Sequence, residues 1–150
     1  MKISVITPTL DEESSIIKTI EAISRLVNVS EIVVVDGGSS DKTLDLVDDY
    51  DTVKDLKVVR LGKANRGAQL HEGTKHATGD VYWFIHADVR PIQGSGKQIL
   101  KFLHYSNVVG GNFEVLFSGQ NRSARFLTWL YPHLKTLGLV YGDSAFFVRK

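Results

Sequence analysis

Five charged or titratable residues stand at or just after the ends of apolar stretches: Asp36, Lys63, Arg66, His86 and Asp88. A carboxylate such as Asp88 can bind Mg²⁺ or Mn²⁺, cations that also coordinate phosphate oxygen. Arg66 can bind phosphate or a base edge through its guanidinium fork, and Asp36 can accept hydrogen bonds from a ribose or a base. Taken singly, the carboxylates could cap turns or helices and the cations could be solvated. Taken together, these residue types favour a site for a phosphate-bearing ligand.

The apolar stretches before these residues predict four strands, at Ile3–Thr7, Glu31–Val35, Leu56–Leu61 and Val81–Ala87. The last begins with a continuous aromatic and β-branched run, which is typical of a strand buried on both faces. The strands begin 25 to 28 residues apart and alternate with helical patterns, so they predict βαβ units and a parallel sheet. Ligands of such sheets bind beyond the carboxyl ends of the strands, where all five residues would meet.

Helical patterns fill the gaps between the strands. The Thr9–Glu12 segment has the spacing of a capping box and is predicted to open the first helix. Its apolar face comprises Ile16, Ile17, Ile20, Ile23, Leu26 and Val27. A second helix carries Leu44, Leu46 and Val47, and a third follows the turn at 62–67 and ends near Gly79.

Beyond Asp88 the pattern changes to a more mixed arrangement. The predicted elements are a helix at Lys97–Tyr105 with Ile99, Phe102 and Leu103 inward, an antiparallel edge strand at Val108–Phe117, a helix at Arg122–Leu139 and a strand at Ala145–Val148. The Arg122–Leu139 helix most simply docks on the domain through Phe126, Leu127, Leu130, Leu134 and Leu137. Its basic and aromatic residues also suit peripheral association with a membrane, and its apolar face would suit a homo-oligomer interface.

Composition narrows the class of protein. The 150 residues predict one domain, 1–150, and 18 basic against 17 acidic residues leave a net charge of +1, which gives no field to attract nucleic acid. With no cysteine there is no thiolate metal site and no cysteine nucleophile. Neither a signal peptide nor a run of roughly 18 apolar residues is present, so we expect a cytoplasmic protein.

Two phosphate-binding motifs are missing from the sequence. The first loop is not G-x-G-x-x-G, and G-x-x-x-x-G-K-[ST] does not occur. A diphosphate ligand would therefore need cationic side chains and a metal.

Three stretches together resemble family 2 glycosyltransferases of the GT-A fold: residues 3–12, residues 31–43, and residues 79–88 ending in His86-Ala87-Asp88. The sequence is most similar to a branch that has this His-Ala-Asp in place of Asp-x-Asp and a later Tyr141-Gly142-Asp143. The resemblance implies a GT-A type α/β fold, a Rossmann-like, mostly parallel sheet flanked by helices with an antiparallel added edge.

The resemblance also implies a nucleotide-diphosphate-sugar donor and Mn²⁺ or Mg²⁺. The metal would be bound by Asp88, and His86 would ligate it, bond to the sugar, or only bridge strand and loop. The residues implied in binding the donor are Pro8, Thr9, Glu12, Asp36, Gly37, Lys63, Arg66 and Ala87.

Family 2 enzymes invert the anomeric centre, which requires a carboxylate base for the acceptor hydroxyl. Asp143 is the first candidate and Glu114 the second, while the acceptor is unknown. Members of this branch continue well past residue 149, so we expect a C-terminally short chain. An alternative is therefore a non-catalytic nucleotide-sugar-binding subunit. A sugar nucleotidyltransferase is disfavoured, since the first loop, residues 7–12, contains neither glycine nor a basic residue.

Overall fold

The computed structural model describes residues 1–51, 54–114, 125–126, 128–130, 133–134 and 145–150. Its first half alternates strands and helices: β1 (Ile3–Thr9), α1 (Ile16–Ser24), β2 (Val29–Asp36), α2 (Thr43–Asp48), β3 (Asp55–Arg60) and α3 (Arg66–His76). The later elements are β4 (Val81–Phe84), α4 (Ser95–Leu103), β5 (Gly110–Gly111) and β6 (Phe147–Arg149).

The strands form one six-stranded sheet in the order β3-β2-β1-β4-β6-β5. The pairs β3–β2, β2–β1 and β1–β4 are parallel, whereas β6 runs antiparallel to both β4 and β5. The predicted mostly parallel sheet with an antiparallel added edge is therefore confirmed.

Alternating side chains of the central strands enter two separate cores. On one face Val5 packs with Ile20 of α1 and Ile99 of α4. On the other face Ile6 and Val33 pack with Leu70 of α3. Helices thus cover both faces, which explains why β1 is buried along its whole length.

Helix α3 approaches the sheet closely because residue 73 is glycine. A Cβ atom at this position would collide with the Ile6 side chain and would lie 3.2 Å from a Val35 methyl group. The absence of a side chain therefore sets the distance between α3 and the ends of β1 and β2.

The predicted capping box at Thr9–Glu12 was wrong. Thr9 is the last residue of β1, and α1 begins only at Ile16. The reason is a contact between distant loops, in which the backbone amides of residues 11–13 donate to side chains of residues 39–43. These amides are satisfied without helical geometry.

Several side chains and boundaries also differ from the predictions. Val27 and Phe102 were predicted to face the core, but they are 59% and 56% exposed. β4 ends at Phe84, because the chain turns after Ile85, and the predicted strand at Val108–Phe117 is reduced in its described part to Gly110–Gly111.

The predicted Arg122–Leu139 helix is described only in part. Residues 125, 126, 128–130, 133 and 134 are helical, and Leu127 and Leu137 lie outside the described residues. Phe126 and Trp129 are 56% and 60% exposed, and their rings lie at an angle of 36° to each other with centroids 6.0 Å apart. Within the described residues, no helix has the length and apolar character needed to cross a bilayer.

Candidate functional site

A cleft of about 700 Å³ opens beyond the carboxyl ends of β1 and β4. Its walls come from the end of β1, the start of α3, the segment after β4, and residues 113–114 and 145. The predicted site residues that border it are Pro8, Thr9, Glu12, Arg66, His86, Ala87, Asp88 and Glu114. Residues far apart in sequence thus meet at the predicted edge of the sheet.

The chain leaves β4 through a hydrogen-bonded turn. The Ile85 N–H still donates to the Ile6 carbonyl of β1, at 3.1 Å. The Val89 N–H then donates to the His86 carbonyl at 3.0 Å, which closes a turn over residues 86–89. This turn keeps the segment after β4 against the end of β1.

The three residues of the His-Ala-Asp sequence differ in exposure. Ala87 is buried, His86 is half-buried and Asp88 is exposed. All three border the cleft. The turn therefore anchors its backbone in the protein while the Asp88 carboxylate is open to solvent.

Arg66 is the first residue of α3, and its position is fixed by a helix cap. The preceding residue, Asn65, accepts a hydrogen bond from the Ala68 N–H at 2.9 Å through its side chain. This is a standard way to satisfy an amide at a helix start. The cap fixes the start of α3, and the Arg66 side chain borders the cleft.

Gln69 was not predicted, yet it joins the strand ends beneath the cleft. Its Nε2 atom donates to the carbonyls of Thr9 and Val35, both at 2.8 Å. The side chain is 4% exposed and borders the cleft. Its spacing of three residues from Arg66, which puts both on one helix face, was the only sequence signal.

Asp36 uses both carboxylate oxygens inside the protein. One oxygen accepts from the Gly38 and Ser39 N–H groups at 2.7 and 2.9 Å, and the other accepts from the Ser39 hydroxyl. Asp36 is 1% exposed. Asp36, Gly37 and the exposed Lys63 are not among the described residues that border the cleft, and their donor contacts stay predictions.

Two of the three carboxylates predicted to bind the metal or to act as the base border the cleft. Asp88 and Glu114 are exposed, and neither makes an ion pair with another described residue. Asp143, the first candidate for the base, lies outside the described residues. The described part of the chain contains no cluster of three or more metal-ligating side chains.

The residues at the cleft still fit a cation that is also bound by the phosphate groups of a ligand. Mg²⁺ and Mn²⁺ in such sites are held by one or two carboxylates, with phosphate oxygens and water completing the shell. Asp88 offers one open carboxylate, and the half-buried His86 stands two residues away. Arg66 adds positive charge at the same cleft.

Other lining residues were also missed by the sequence analysis. Arg90 supplies a second cation two residues beyond Asp88. The remaining lining residues are mostly apolar: Leu10, Ala64, Trp83, Val89, Pro91, Ile92, Ser95, Phe113 and Ala145. They carry no charge pattern that would mark them in the sequence.

The chain is similar to known proteins in sequence and in fold. The family model described as glycosyl transferase family 2 matches residues 4–148. Over 116 residues the chain is 30% identical to the Staphylococcus aureus poly(ribitol-phosphate) beta-N-acetylglucosaminyltransferase TarS, covering 73% of this chain and 20% of TarS. It is 34% identical over 96 residues to the Pyrococcus furiosus dolichol-phosphate mannosyltransferase, covering 60% and 26%. The chain thus spans a fifth to a quarter of these curated relatives.

Two solved structures are similar to the fold. The S. aureus TarS 1–349 complex with UDP-GlcNAc superposes with a TM-score of 0.69 at 27% identity, covering 82% of this chain and 38% of that one. The Mycobacterium tuberculosis glucosyl-3-phosphoglycerate synthase complex with Mn²⁺, UDP and glucosyl-3-phosphoglycerate has a TM-score of 0.71 at 24% identity, covering 99% and 56%. At this identity the second likeness concerns the fold alone.

Proposed function

The chain belongs to glycosyl transferase family 2, and from this premise we propose that it is an inverting, metal-assisted glycosyltransferase. The donor is a nucleotide-diphosphate-sugar bound in the cleft beyond β1 and β4. The acceptor supplies a hydroxyl group.

One observation carries the proposal. The cleft has an open carboxylate, Asp88, on one wall and two cations, Arg66 and Arg90, among its lining residues. A diphosphate needs positive charge from side chains and metal where no glycine-rich cradle surrounds it. The TarS relative was solved with UDP-GlcNAc, which supports a nucleotide-sugar as the ligand class.

Asp88 would hold the metal, with His86 beside it, while Arg66 would bind phosphate or base edges. When bound, the cation supplies charge stabilisation for the departing diphosphate. Pro8, Thr9 and Glu12 line the adjoining part of the cleft and are proposed to contact the nucleoside. Asp36, Gly37 and Lys63 are also proposed to contact the donor, and Ala87 is proposed to contact its sugar.

The chemical step is a single displacement. The acceptor oxygen forms a bond to the anomeric carbon as the bond from that carbon to the diphosphate oxygen breaks. The electron pair of the broken bond stays on the diphosphate, and the acceptor proton passes to a carboxylate. Asp143 is proposed as this base, with Glu114 on the cleft wall as the second candidate.

The test is turnover with stereochemical analysis. The chain is incubated with UDP- and GDP-sugars, Mn²⁺ and a mixture of hydroxyl-bearing acceptors, and release of the nucleoside diphosphate is followed. We expect release that depends on Mn²⁺ and a product whose anomeric configuration by NMR is opposite to that of the donor. Retained configuration would contradict the inverting mechanism. Pyrophosphate release from a nucleoside triphosphate and a sugar phosphate would instead identify a nucleotidyltransferase.

A further inference from the structure

We propose that Thr19 is a positioning residue that holds the turn at residues 86–89 in the orientation needed for donor binding. The proposal rests on the proposed function, because it takes this turn as the part of the chain that presents Asp88 to the metal and the diphosphate. Thr19 itself lies on α1 and is not among the residues that line the cleft. It acts through the carbonyl group of Ala87.

The contact that carries the inference joins two buried groups. The Thr19 hydroxyl donates to the Ala87 carbonyl at 2.5 Å, across 68 residues of sequence. Thr19 is completely buried, and Ala87 is 2% exposed. A buried hydroxyl or carbonyl costs free energy unless it is hydrogen-bonded, so each group satisfies the other.

Thr19 is an exception on its own helix. The other buried residues of α1 are Ile16, Ile20 and Ile23, which form an apolar face. A threonine hydroxyl within a helix commonly bonds back to a carbonyl of the preceding turn. Here the Thr19 N–H makes the ordinary helical bond to the Ser15 carbonyl, at 3.1 Å, while the hydroxyl points to another part of the chain. The Thr19 hydroxyl therefore forms its hydrogen bond with the turn and not within the helix.

The orientation of the Ala87 carbonyl determines the conformation of that turn. It belongs to the peptide that joins Ala87 to Asp88, which is the central peptide of the turn closed by Val89. Because a peptide group is planar, fixing the carbonyl also fixes the backbone at the start of Asp88. The two common turn types differ mainly by a flip of this central peptide.

The flipped form would give Asp88 a positive φ. Among the described residues, the positive-φ positions other than glycine are Asp11, Asn28 and Ala145, so Asp88 is in the unflipped form. The bond from Thr19 stabilises this form. Since the direction of the Asp88 side chain follows from its backbone, Thr19 sets where the carboxylate points.

Three variants separate this role from general stabilisation. Thr19→Val keeps the shape of the side chain and removes the hydroxyl, whereas Thr19→Ser keeps the hydroxyl. Ser4→Ala is the matched control, because Ser4 is also a buried hydroxyl with a 2.5 Å bond, made to Glu31 at the opposite end of the sheet.

The first measurement needs no ligand. Amide hydrogen exchange is recorded for Val89, whose N–H closes the turn, relative to Gly37, whose N–H bonds to Thr9 at the β1–β2 edge. In Thr19→Val we expect Val89 to exchange about tenfold faster, the effect of losing one hydrogen bond. Thr19→Ser and Ser4→Ala should exchange like the wild type. An unchanged rate in Thr19→Val would overturn the proposal.

The second measurement is Mn²⁺ affinity in the presence of UDP or GDP, read from the electron paramagnetic resonance signal of free Mn²⁺. We expect an affinity about 10- to 100-fold weaker in Thr19→Val, as is common when a group that orients a metal ligand is lost. Thr19→Ser and Ser4→Ala should retain wild-type affinity. Faster exchange of Val89 with unchanged Mn²⁺ affinity would also overturn the proposal. A wild-type chain that binds neither nucleotide nor Mn²⁺ would contradict the proposed function, and the exchange of Val89 would still decide whether Thr19 holds the turn.

Discussion

The Lys57 ammonium lies 2.6 Å from the Glu31 carboxylate, at the end of the sheet opposite to the cleft. Glu31 is 2% exposed and also accepts hydrogen bonds from the Ser4 hydroxyl and the Thr78 N–H, at 2.5 and 2.6 Å. Burial by itself raises the pKa of Glu31, but the bonds from Lys57, Ser4 and Thr78 together lower it to about 2. This single carboxylate ties β1, β2, β3 and the loop before β4 together.

The free energy of unfolding should therefore fall in acid through Glu31. A carboxyl group whose pKa is lower in the folded state stabilises the fold above its unfolded pKa and loses that effect as the pH falls. With an ordinary value of 4.5 and a folded value of about 2, the loss lies between about pH 4.5 and pH 2. It amounts to about 3 kcal/mol. Urea denaturation of the wild type and Glu31→Gln at pH 7, 4.5 and 3 measures it.

Glu31→Gln should be less stable than the wild type at pH 7, and the difference should be clearly smaller at pH 3, because it disappears only as the pH approaches the folded pKa of about 2. The control is Glu21→Gln, which removes an exposed ion pair with Arg25 and should leave the pH profile unchanged. If the wild type and Glu31→Gln lose stability in parallel as the pH falls, Glu31 does not have the lowered pKa described above.

Gly73→Ala should destabilise the protein, although alanine favours helices. The added Cβ would collide with Ile6 and force α3 away from the sheet. Overpacking of this kind costs about 1–3 kcal/mol. The control lies on the same helix: Gly67 is exposed, and a Cβ there would meet only the Asn65 side chain, at an ordinary 3.5 Å.

Gly67→Ala should be neutral or stabilising by about 0.5–1 kcal/mol, the intrinsic preference of a helix for alanine. Urea denaturation at pH 7 compares the two variants. Equal effects of both substitutions would show that the close approach at Gly73 is not required.

Enzyme kinetics of single substitutions can distinguish the two candidate general bases, Asp143 and Glu114. Asp143→Asn should lower kcat by about 10²- to 10⁴-fold, the usual effect of losing a general base, with donor affinity unchanged. Glu114→Gln should have a small effect on kcat. The reverse result would assign the base to Glu114, and an unchanged kcat in both variants would exclude both carboxylates.

Much of the fold follows from local patterns in the sequence. Continuous β-branched runs such as Val33–Val35 are buried on both faces, so the parallel sheet and the edge where Asp88 lies were predictable. The start of α1 was not, because the amides of residues 11–13 are satisfied by a loop about 28 to 31 positions further on. Local capping patterns cannot register such a contact.

Some of the residues that line the cleft could likewise be predicted from the sequence, and others could not. Asp88 and Arg66 lie in the segments that come after the carboxyl ends of β4 and β3, and both border the cleft, as the rule for parallel sheets predicts. Gln69 lies inside a helix and acts through two carbonyls of other strands, which only the folded arrangement reveals. Asp36 follows the same rule as Asp88, yet its oxygens are taken by the neighbouring Gly38 and Ser39.

The most direct test of the proposed function is calorimetric titration with UDP- and GDP-sugars, in Mn²⁺ and in EDTA, of the wild type and Asp88→Asn. We predict that the wild type binds at least one donor in Mn²⁺. We also predict that EDTA or the Asp88→Asn substitution weakens binding by at least about tenfold, with the melting temperature of the free protein unchanged. Failure of every nucleotide-sugar to bind, or equal binding by a folded Asp88→Asn variant, would contradict the assignment of this cleft as a metal-assisted donor site.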